Sequence, residues 1–260
     1  MKSQRVRRRT DTEQFHDEHQ GEDTLSKAFE LLQSVEIERG TGVGPVPVNR
    51  VRPSVIGQEE ITRLIQRVFR VPDAPRSVLF AGIDPGDGCT SICAATAENL
   101  ASTAPGSVCV VDANLRNPSL HRYFEIGNST GLAEALIQPG AIHNFAQHIS
   151  GTNLWVMPSG SEIAAAQGQL GSDAMRARMA ELNQSFDNVL VDSPALNRAS
   201  DALVLGRLVD GMLLVLQSNA TRRETARTVI AGIRNANVNL LGAVLNKRTF
   251  PIPQNLYDRL

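Results

Sequence analysis

The sequence predicts an α/β fold with a doubly wound, mainly parallel sheet. One observation behind this prediction is that apolar runs of strand length alternate with helical patterns from residue 57 onward. Strands that alternate with helices form βαβ units, whose crossover connections are right-handed. The other observation is that these runs are continuously apolar, which is typical of parallel strands buried on both faces.

The predicted elements begin with an amphipathic helix, GQEEITRLIQRVFR, that starts at residue 57. The predicted strands after it are SVLFAG, SVCVVDA, NLWVMP, NVLVDSP, GMLLVLQ and LLGAVLNK. The clearest helices between them are TSICAATAENLAS, DAMRARMAELNQSF, ASDALVLGRLV and RRETARTVIAGIRNA. Ligands of such sheets bind at the carboxyl ends of the strands, so we expect the functional site at that edge.

The chain of 260 residues is long enough for one large α/β domain and a tail. Residues 1–54 are predicted to be a flexible tail that contains a short amphipathic helix and a Gly/Pro linker. The apolar stripe of that helix consists of Leu25, Phe29, Leu32 and Val35. Residues 55–250 form the predicted domain, and residues 251–260 form a C-terminal tail.

Composition and charge exclude several classes of protein. The net charge of −1 at pH 7 gives no global signature of polyanion binding, so we expect no nucleic-acid partner. No apolar run reaches the roughly 20 residues needed to span a bilayer, and no apolar signal core follows the N-terminal arginines. We therefore expect a cytoplasmic protein that associates with the inner face of the plasma membrane only indirectly.

A Gly-rich turn, IDPGDGCTS, lies between the first predicted strand and the helix after it. Backbone N–H groups in such a turn, together with those of a helix N-terminus, bind phosphate. Gly86 and Gly88 permit a tight path, and Thr90 or Ser91 can offer a hydroxyl to Mg²⁺. The predicted nucleotide-binding residues of the turn are Asp84, Pro85, Gly86, Asp87, Gly88, Cys89, Thr90 and Ser91.

This turn matches the consensus G-x-x-x-x-G-K-[ST] at only two of its four fixed positions. Ile83 stands at the first glycine, and Cys89 stands at the lysine. An ordinary Gly-rich turn between a strand and a helix is therefore an alternative interpretation. The strand before the turn and the helix after it favour a phosphate site.

Polar residues that a core does not need follow three later strands. Asp112 ends one strand and Asp192 another, where carboxylates can hold Mg²⁺ or orient a nucleophile. Asn114 follows Asp112, and an Asx-turn is the structural alternative for this segment. Asn246 ends the last predicted strand, where it either hydrogen-bonds a purine edge or simply closes the strand.

These segments together resemble the cytoplasmic domain of bacterial protein-tyrosine kinases over about residues 55–250. The stretches LRNPSLHRYF and DALVLGRLVDGMLLVLQSNATRRETA are the most specific part of the resemblance. The resemblance implies a P-loop ATPase fold that binds ATP and Mg²⁺. It implies that Gly86 to Thr90 contact the phosphates, that Thr90 contacts the metal, and that Asp112 and Asp192 serve the metal and catalysis.

The family also implies partners. Its kinases act with membrane polysaccharide co-polymerases in capsule and exopolysaccharide assembly, so a co-polymerase or another export protein is the expected partner. The resemblance further implies a homo-oligomer, in which Glu60 and Arg63 belong to a helix motif of the form E-x-x-R-x-x-R. In this chain Gln66 stands at the last position of that motif, and Arg67 is adjacent.

Three departures from the family pattern concern catalysis. Cys89 replaces the lysine that neutralises phosphate charge, and Asn114 replaces the second aspartate of a D-x-D-x-R motif. The C-terminal tail has a single tyrosine, Tyr257. These departures favour a regulatory or adaptor protein with weak or lost phosphotransfer, while an active ATP-dependent kinase or ATPase remains an alternative.

Two further questions stay open from the sequence. Cys89 at a helix N-terminus, one turn from Cys93, could act as a thiol redox switch, because a helix dipole lowers the pKa of a thiol. The alternative is that both cysteines are small core fillers. A cation from elsewhere could replace the missing lysine, and the candidates within the chain are Arg116, Lys247 and Arg248.

Overall fold

The computed structural model describes residues 36–38 and 55–248, and it forms a layered α/β structure over these residues. Its strands are β1 (Glu36–Glu38), β2 (Ser77–Gly82), β3 (Val108–Asp112), β4 (Gln147–His148), β5 (Leu154–Met157), β6 (Asn188–Asp192), β7 (Gly211–Gln217) and β8 (Leu240–Arg248). Its helices are α1 (Val55–Val68), α2 (Cys89–Thr103), α3 (Leu120–Tyr123), α4 (Leu132–Ile137), α5 (Ile163–Ala166), α6 (Asp173–Ser185), α7 (Asp201–Gly206) and α8 (Arg223–Asn235).

The described strands form one eight-stranded sheet in the order β1-β8-β7-β2-β6-β3-β5-β4. All neighbouring pairs are parallel except β4 and β5, which pair antiparallel at one edge. The doubly wound, mainly parallel sheet predicted from the sequence is therefore confirmed. Strand β2 lies in the interior of this sheet, between β7 and β6, so the segment after β2 begins at the centre of the carboxyl edge.

Two apolar cores cover the two faces of the sheet. Val78 and Phe80 of β2 face the core that helices α1 and α2 complete. Leu79 and Ala81 face the opposite core, which helices α4, α6, α7 and α8 cover. Every residue of β2 is buried, because alternate side chains enter opposite cores. Burial on both faces explains why the strand sequences are continuously apolar.

The structure differs from the sequence prediction in the short elements. Helix α7 covers only Asp201–Gly206, although the sequence pattern predicts a helix over residues 199–209. The elements α3, α4, α5 and β4 were not predicted, because segments of two to six residues show no measurable periodicity. Residues 36–38, which lie within the predicted N-terminal helical segment, form a strand that pairs with β8.

The rest of that N-terminal segment, including the predicted apolar stripe from Leu25 to Val35, lies outside the described residues. The same holds for the predicted C-terminal tail and Tyr257. Within residues 36–38 and 55–248, no helix combines the length and the apolar character that a membrane crossing requires.

The start of β2 is tied to the start of β7 by one carboxylate. Asp210 Oδ2 accepts hydrogen bonds from the backbone N–H groups of Arg76 and Ser77, at 2.9 and 2.8 Å, and from the Ser77 hydroxyl at 2.9 Å. The Asp210 N–H in turn donates to Ser77 Oγ at 3.0 Å. This network sets the register of the strand that carries the Gly-rich turn.

Replacing Asp210 with Ala is therefore expected to lower the free energy of unfolding by about 1–2 kcal/mol, because three donors lose a charged acceptor. The measurement is urea unfolding followed by circular dichroism. Asp173→Ala is the control, because the Asp173 side chain is 97% exposed and pairs only with an exposed Arg176. Equal midpoints for the two variants would contradict the role given to Asp210.

Candidate functional site

The Gly-rich turn lies at the centre of the carboxyl edge of the sheet, where it connects β2 to the N-terminus of α2. Gly88 caps α2 with a φ of 90°, and Gly86 has a φ of 94°, so both occupy the left-handed region that favours glycine. A Cβ atom on Gly88 would overlap the side-chain amide of Asn246, whereas one on Gly86 would meet nothing within 4 Å. Gly88 is thus required for close packing as well as for its backbone conformation.

The turn presents free backbone donors. Among the described residues, no backbone acceptor takes the N–H groups of Gly88, Cys89 or Thr90. The first helical hydrogen bond of this segment runs from Ile92 N–H to the Gly88 carbonyl at 3.1 Å. Three adjacent donors at the positive end of a 15-residue helix are suited to bind an anion.

The carboxylate of Asp87 points into the turn and bonds the backbone of the turn itself. Its Oδ2 accepts the N–H groups of Ile83 at 3.0 Å and Asp84 at 2.9 Å, and its side chain is buried. Burial raises the pKa of Asp87 above its ordinary value, and the nearby Asp84 charge adds to the rise. The first half of the turn is therefore held by its own carboxylate, while exposed Asp84 accepts a hydrogen bond from Asn197 at 2.9 Å.

Asp112 and Asp192 are opposite each other at the carboxyl ends of β3 and β6. Thr90 Oγ1 donates to Asp192 Oδ2 at 2.6 Å, and Ser119 Oγ donates to Thr90 Oγ1 at 3.1 Å. The other oxygen of Asp192, Oδ1, is buried and has no hydrogen-bond partner among the residues that the structure describes. The structure thus brings three of the predicted residues, Thr90, Asp112 and Asp192, into one connected group.

The two buried carboxyls hold their protons more tightly than exposed ones. Burial, followed by repulsion from Asp112, raises the pKa of Asp192 to about 8. Burial raises the pKa of Asp112 to about 6, although three backbone N–H groups oppose the rise. These donors are Leu120 and Ser119 to Oδ2, both at 2.9 Å, and Asn114 to Oδ1 at 3.2 Å. Asp112 therefore also organises the turn after β3, as the Asx-turn alternative predicts.

The residues fit a bound Mg²⁺ ion. Magnesium in nucleotide sites is held by one or two carboxylates, a hydroxyl, water and phosphate oxygens. Asp192 Oδ1 is an unpaired buried acceptor, and the Thr90 hydroxyl lies beside the same carboxylate. Within residues 36–38 and 55–248, no group of three or more His, Cys, Asp or Glu side chains converges.

The position of Cys89 corrects the basis of the redox hypothesis. The helix N-terminus was expected to lower the pKa of its thiol. In the structure, burial and the adjacent Asp192 carboxylate raise the pKa of Cys89 well above its ordinary value. Burial and the charges of Asp192 and Asp112 raise the pKa of Cys93 in the same direction. Both thiols therefore stay protonated, which disfavours a redox switch.

Asn246 and Lys247 at the end of β8 reach the Gly-rich turn. Asn246 Nδ2 donates to the Asp87 carbonyl at 2.7 Å, and Asn246 Oδ1 accepts the Lys247 N–H at 2.8 Å. The Lys247 ammonium donates to the Gly86 carbonyl. The Asn246 amide thus braces the turn, and the prediction that it reads a purine edge stays a prediction.

The remaining candidates lie away from this group or at its rim. Arg116 pairs with Asp201 at 3.0 Å and is not directed at the turn. Asn114 Oδ1 accepts the Asn117 N–H at 3.3 Å, so its side chain closes a local turn. Pro85 and Ser91 are exposed. The side chain of the third candidate cation, Arg248, is not among those described.

Glu60 and Arg63 lie on α1, outside this site. Arg63 Nη1 forms an ion pair with Glu60 Oε1 within the helix. The Arg63 side chain is 54% exposed, whereas Glu60 is buried and its Oε2 has no partner. Their predicted part in oligomerisation stays a prediction.

Sequence reasoning missed Ser119, which links Thr90 to the segment after β3. The spacing of Asp112 and Ser119 carries a signal, because an aspartate can accept the first N–H groups of a helix that begins a few residues later. Helix α3 is only four residues long, so no periodic pattern marks its start.

A parallel sheet, a Gly-rich turn that opens a helix, and aspartates at adjacent strand ends define the class of phosphate-loop NTPase folds. Comparisons with known proteins agree with this class. The sequence profile of the family described as "Cellulose biosynthesis protein BcsQ" matches residues 76–224. Tyrosine-protein kinase YwqD of Bacillus subtilis is 30% identical over 174 residues, which cover 66% of this chain and 72% of YwqD.

Two longer relatives match the same part of the chain. Tyrosine-protein kinase etk of Escherichia coli K12 is 29% identical over 169 residues, which cover 65% of this chain and 23% of etk. Succinoglycan biosynthesis transport protein ExoP of Rhizobium meliloti is 29% identical over 175 residues, which cover 66% of this chain and 22% of ExoP. The match therefore spans less than a quarter of each of these two proteins.

Solved structures show the same fold. The kinase domain of Escherichia coli tyrosine kinase ETK superposes with a TM-score of 0.73 at 23% identity and covers 87% of this chain and 96% of that domain. The ATP complex of a Cyanothece McdA variant gives a TM-score of 0.53 at 16% identity and covers 66% of this chain and 69% of that one. The chain belongs to the family of BcsQ-like phosphate-loop proteins, and its relatives include bacterial tyrosine-protein kinases. The resemblance to those kinases is confirmed.

The raised pKa of Asp192 predicts a stability that falls as the pH rises. The folded protein keeps a proton that the unfolded chain releases near pH 4, so stability is lost as the pH rises toward about 8. Between pH 6 and 8 in metal-free buffer, the free energy of unfolding of the wild type should fall by about 2 kcal/mol more than that of Asp192→Asn. The measurement is denaturant unfolding of both proteins at several pH values. Asp173→Asn is the control and should keep the full slope. An unchanged slope in Asp192→Asn would contradict the assignment.

Gly88 and Gly86 form a matched pair of left-handed glycines. Both Gly88→Ala and Gly86→Ala place a Cβ at positive φ, which costs about 1–2 kcal/mol. Only Gly88→Ala also displaces Asn246, so its thermal unfolding midpoint should fall further than that of Gly86→Ala. Differential scanning calorimetry of both variants measures this, and equal midpoints would show that the Asn246 contact adds nothing.

Proposed function

We propose that this chain is a divergent, kinase-like phosphate-loop protein of capsular or exopolysaccharide biosynthesis. In this proposal it binds Mg²⁺-ATP weakly, has weak or lost phosphotransfer, and regulates a membrane polysaccharide co-polymerase as an adaptor. The nucleotide site is the Gly-rich turn with Thr90, Asp112 and Asp192.

One observation carries the proposal: the partly buried thiol of Cys89 occupies the lysine position of the consensus, and burial and the Asp192 carboxylate raise its pKa. A lysine at this position would place a positive charge beside the phosphates. A protonated thiol supplies no charge. The turn therefore keeps its backbone donors and loses its cation.

Binding and transfer depend on this cation to different degrees. The free N–H groups of Gly88, Cys89 and Thr90 at a helix N-terminus are sufficient to hold an anion. Phosphoryl transfer depends almost entirely on positioning and electrostatic stabilisation, and losing one preorganised contact lowers the rate by about 10²–10³-fold. Weak nucleotide binding with little turnover is the combination that these residues favour.

The proposed ligands follow from the same geometry. Thr90 and Asp192 would hold Mg²⁺, and Asp112 would act beside them. When bound, the ion would neutralise phosphate charge. One structural neighbour, the Cyanothece McdA variant, is described as a complex with ATP. This supports ATP as the nucleotide for the present fold, although the likeness at 16% identity concerns the fold alone.

The proposed partners rest on the names of the relatives. The family profile is described as a cellulose biosynthesis protein and one relative as a succinoglycan biosynthesis transport protein. We infer that the present chain acts on a co-polymerase or another export protein. Residues 24–35 are the proposed docking helix, and a pull-down that compares the full chain with one starting near residue 50 would test it.

Homo-oligomerisation is a further part of the proposal. A groove of about 790 Å³ runs along α1 and α2 and is lined by Arg63, Gln66 and Glu98 among others. The exposed guanidinium of Arg63 at this groove suits contact with another subunit, and among the described residues no donor reaches the buried Oε2 of Glu60. Sedimentation of the wild type and Arg63→Ala would test this role.

The central experiment restores the missing charge. Cys89→Lys is expected to strengthen Mg²⁺-ATP binding by about 10–100-fold, because a charge-assisted hydrogen bond to phosphate is gained. Calorimetric titration measures the affinity, and Cys89→Ser is the uncharged control, which should bind like the wild type. Thermal melts identify any variant that fails to fold.

The second candidate function is an active tyrosine autokinase, as the names of the relatives suggest. Micromolar binding of Mg²⁺-ATP by the wild type, together with autophosphorylation at Tyr257, would favour it and contradict the regulatory proposal. Mass spectrometry of the chain after incubation with Mg²⁺-ATP distinguishes the two candidates.

A further inference from the structure

Lys247 is the one lysine between residues 55 and 248, and its ammonium group lies at the Gly-rich turn. It donates to the Gly86 carbonyl and lies 3.4 Å from Gln217 Oε1 on the neighbouring strand β7. The aliphatic stem passes beside Gly88, since a Cβ there would lie 3.8 Å from Lys247 Cε. The ammonium thus reaches the turn whose own lysine position holds Cys89.

The backbone of Lys247 is held in an unusual conformation. Its φ of 61° lies in the left-handed region, which a residue with a Cβ atom rarely adopts. The Lys247 N–H is held there by Asn246 Oδ1 at 2.8 Å. Consecutive residues of β8 therefore hold consecutive carbonyls of the turn: Lys247 takes that of Gly86, and Asn246 takes that of Asp87. The strand end is shaped to direct this ammonium at the turn.

The negative charges around the site favour a cation close to the turn. Asp84 and Asp87 lie in the turn itself, and a polyphosphate would add further negative charge. The charge of Lys247 already acts on the turn, because it opposes the rise in the pKa of Asp87. Arg116, another candidate cation, is paired with Asp201. A Coulomb interaction does not require direct contact, so an ammonium at the rim still acts on a bound phosphate.

Resting on the nucleotide-binding function proposed above, we propose that Lys247 is a nucleotide-binding residue that supplies, from the end of β8, the positive charge that Cys89 does not. The phosphate-loop lysine of the consensus reaches the phosphates from within the loop. In this chain the cation comes from the last strand of the described sheet and is held against the loop through Gly86. Lys247 thereby sets the affinity for the phosphate groups, and the free N–H groups of the turn set their position.

The test uses the full chain and three probes: Mg²⁺-ATP, inorganic triphosphate and adenosine. Lys247→Met keeps the aliphatic stem and removes the charge, and it is expected to weaken Mg²⁺-ATP and triphosphate binding by about 10–100-fold. Adenosine binding should not change, because adenosine carries no phosphate. Lys247→Arg keeps the charge and should retain most of the affinity.

A second background separates charge from structure. In the Cys89→Lys chain the loop has its own cation, so the additional change Lys247→Met should weaken triphosphate binding much less than it does in the wild type. Arg70→Met is the matched control, because Arg70 also donates to a backbone carbonyl, that of Thr103, at 2.7 Å. Thr103 ends α2, about 21 Å along the helix from the loop, so this variant should bind like the wild type.

The outcomes of the titrations test the role of Lys247 separately from the proposed nucleotide binding. Triphosphate affinity that is equal in the wild type and Lys247→Met overturns the role of Lys247 and leaves the proposed function standing. An equal loss on the wild-type and Cys89→Lys backgrounds, or an equal loss for adenosine, also overturns it, because a structural brace would act in that way. A wild type that binds neither Mg²⁺-ATP nor triphosphate overturns both the inference and the proposed nucleotide binding.

Discussion

The close approach of two buried carboxyl groups at the carboxyl edge of the sheet is the constraint on which the site depends. Asp112 and Asp192 are buried opposite each other on adjacent parallel strands, and the charge of Asp112 disfavours the ionised form of Asp192. Polar groups nearby donate hydrogen bonds to these two carboxyl groups. Thr90 donates a hydrogen bond to Asp192, and the N–H groups of Asn114, Ser119 and Leu120 donate to Asp112. The unpaired oxygen of Asp192 is what a metal ion would satisfy.

A cysteine can stand at the lysine position because other residues hold the shape of the loop. The loop does not depend on an internal lysine for its shape, because Asp87 holds its first half and Asn246 braces its second half. Geometry and charge are therefore supplied by different residues. Losing the cation weakens the interaction with phosphates and leaves the backbone donors in place.

The sheet was predictable from the sequence because burial on both faces leaves a continuous apolar signal in strands such as β2 and β7. The central loop and both aspartates were also predictable, since polar residues at strand ends are conspicuous after apolar runs. The direction of the pKa shift at Cys89 was not, because it depends on burial in the folded chain and then on Asp192, which is distant in sequence and adjacent in space. The same reason applies to the contact of Lys247 with Gly86, which only the folded sheet brings together.

The contacts of Asn246 and Lys247 in β8 with the Gly-rich turn have a consequence for the edge of the sheet. The backbone of Asn246, whose side chain holds the Asp87 carbonyl, pairs with Ile37 of the edge strand β1. A single residue thus connects the anion-binding loop to a segment that precedes the domain by many residues. Thermodynamic linkage is reciprocal: if an anion in the loop favours one position of β8, it favours to the same degree the pairing of β1 with that position. Residues 36–38 are therefore placed where a shift of β8 would reach them without any direct contact with the loop.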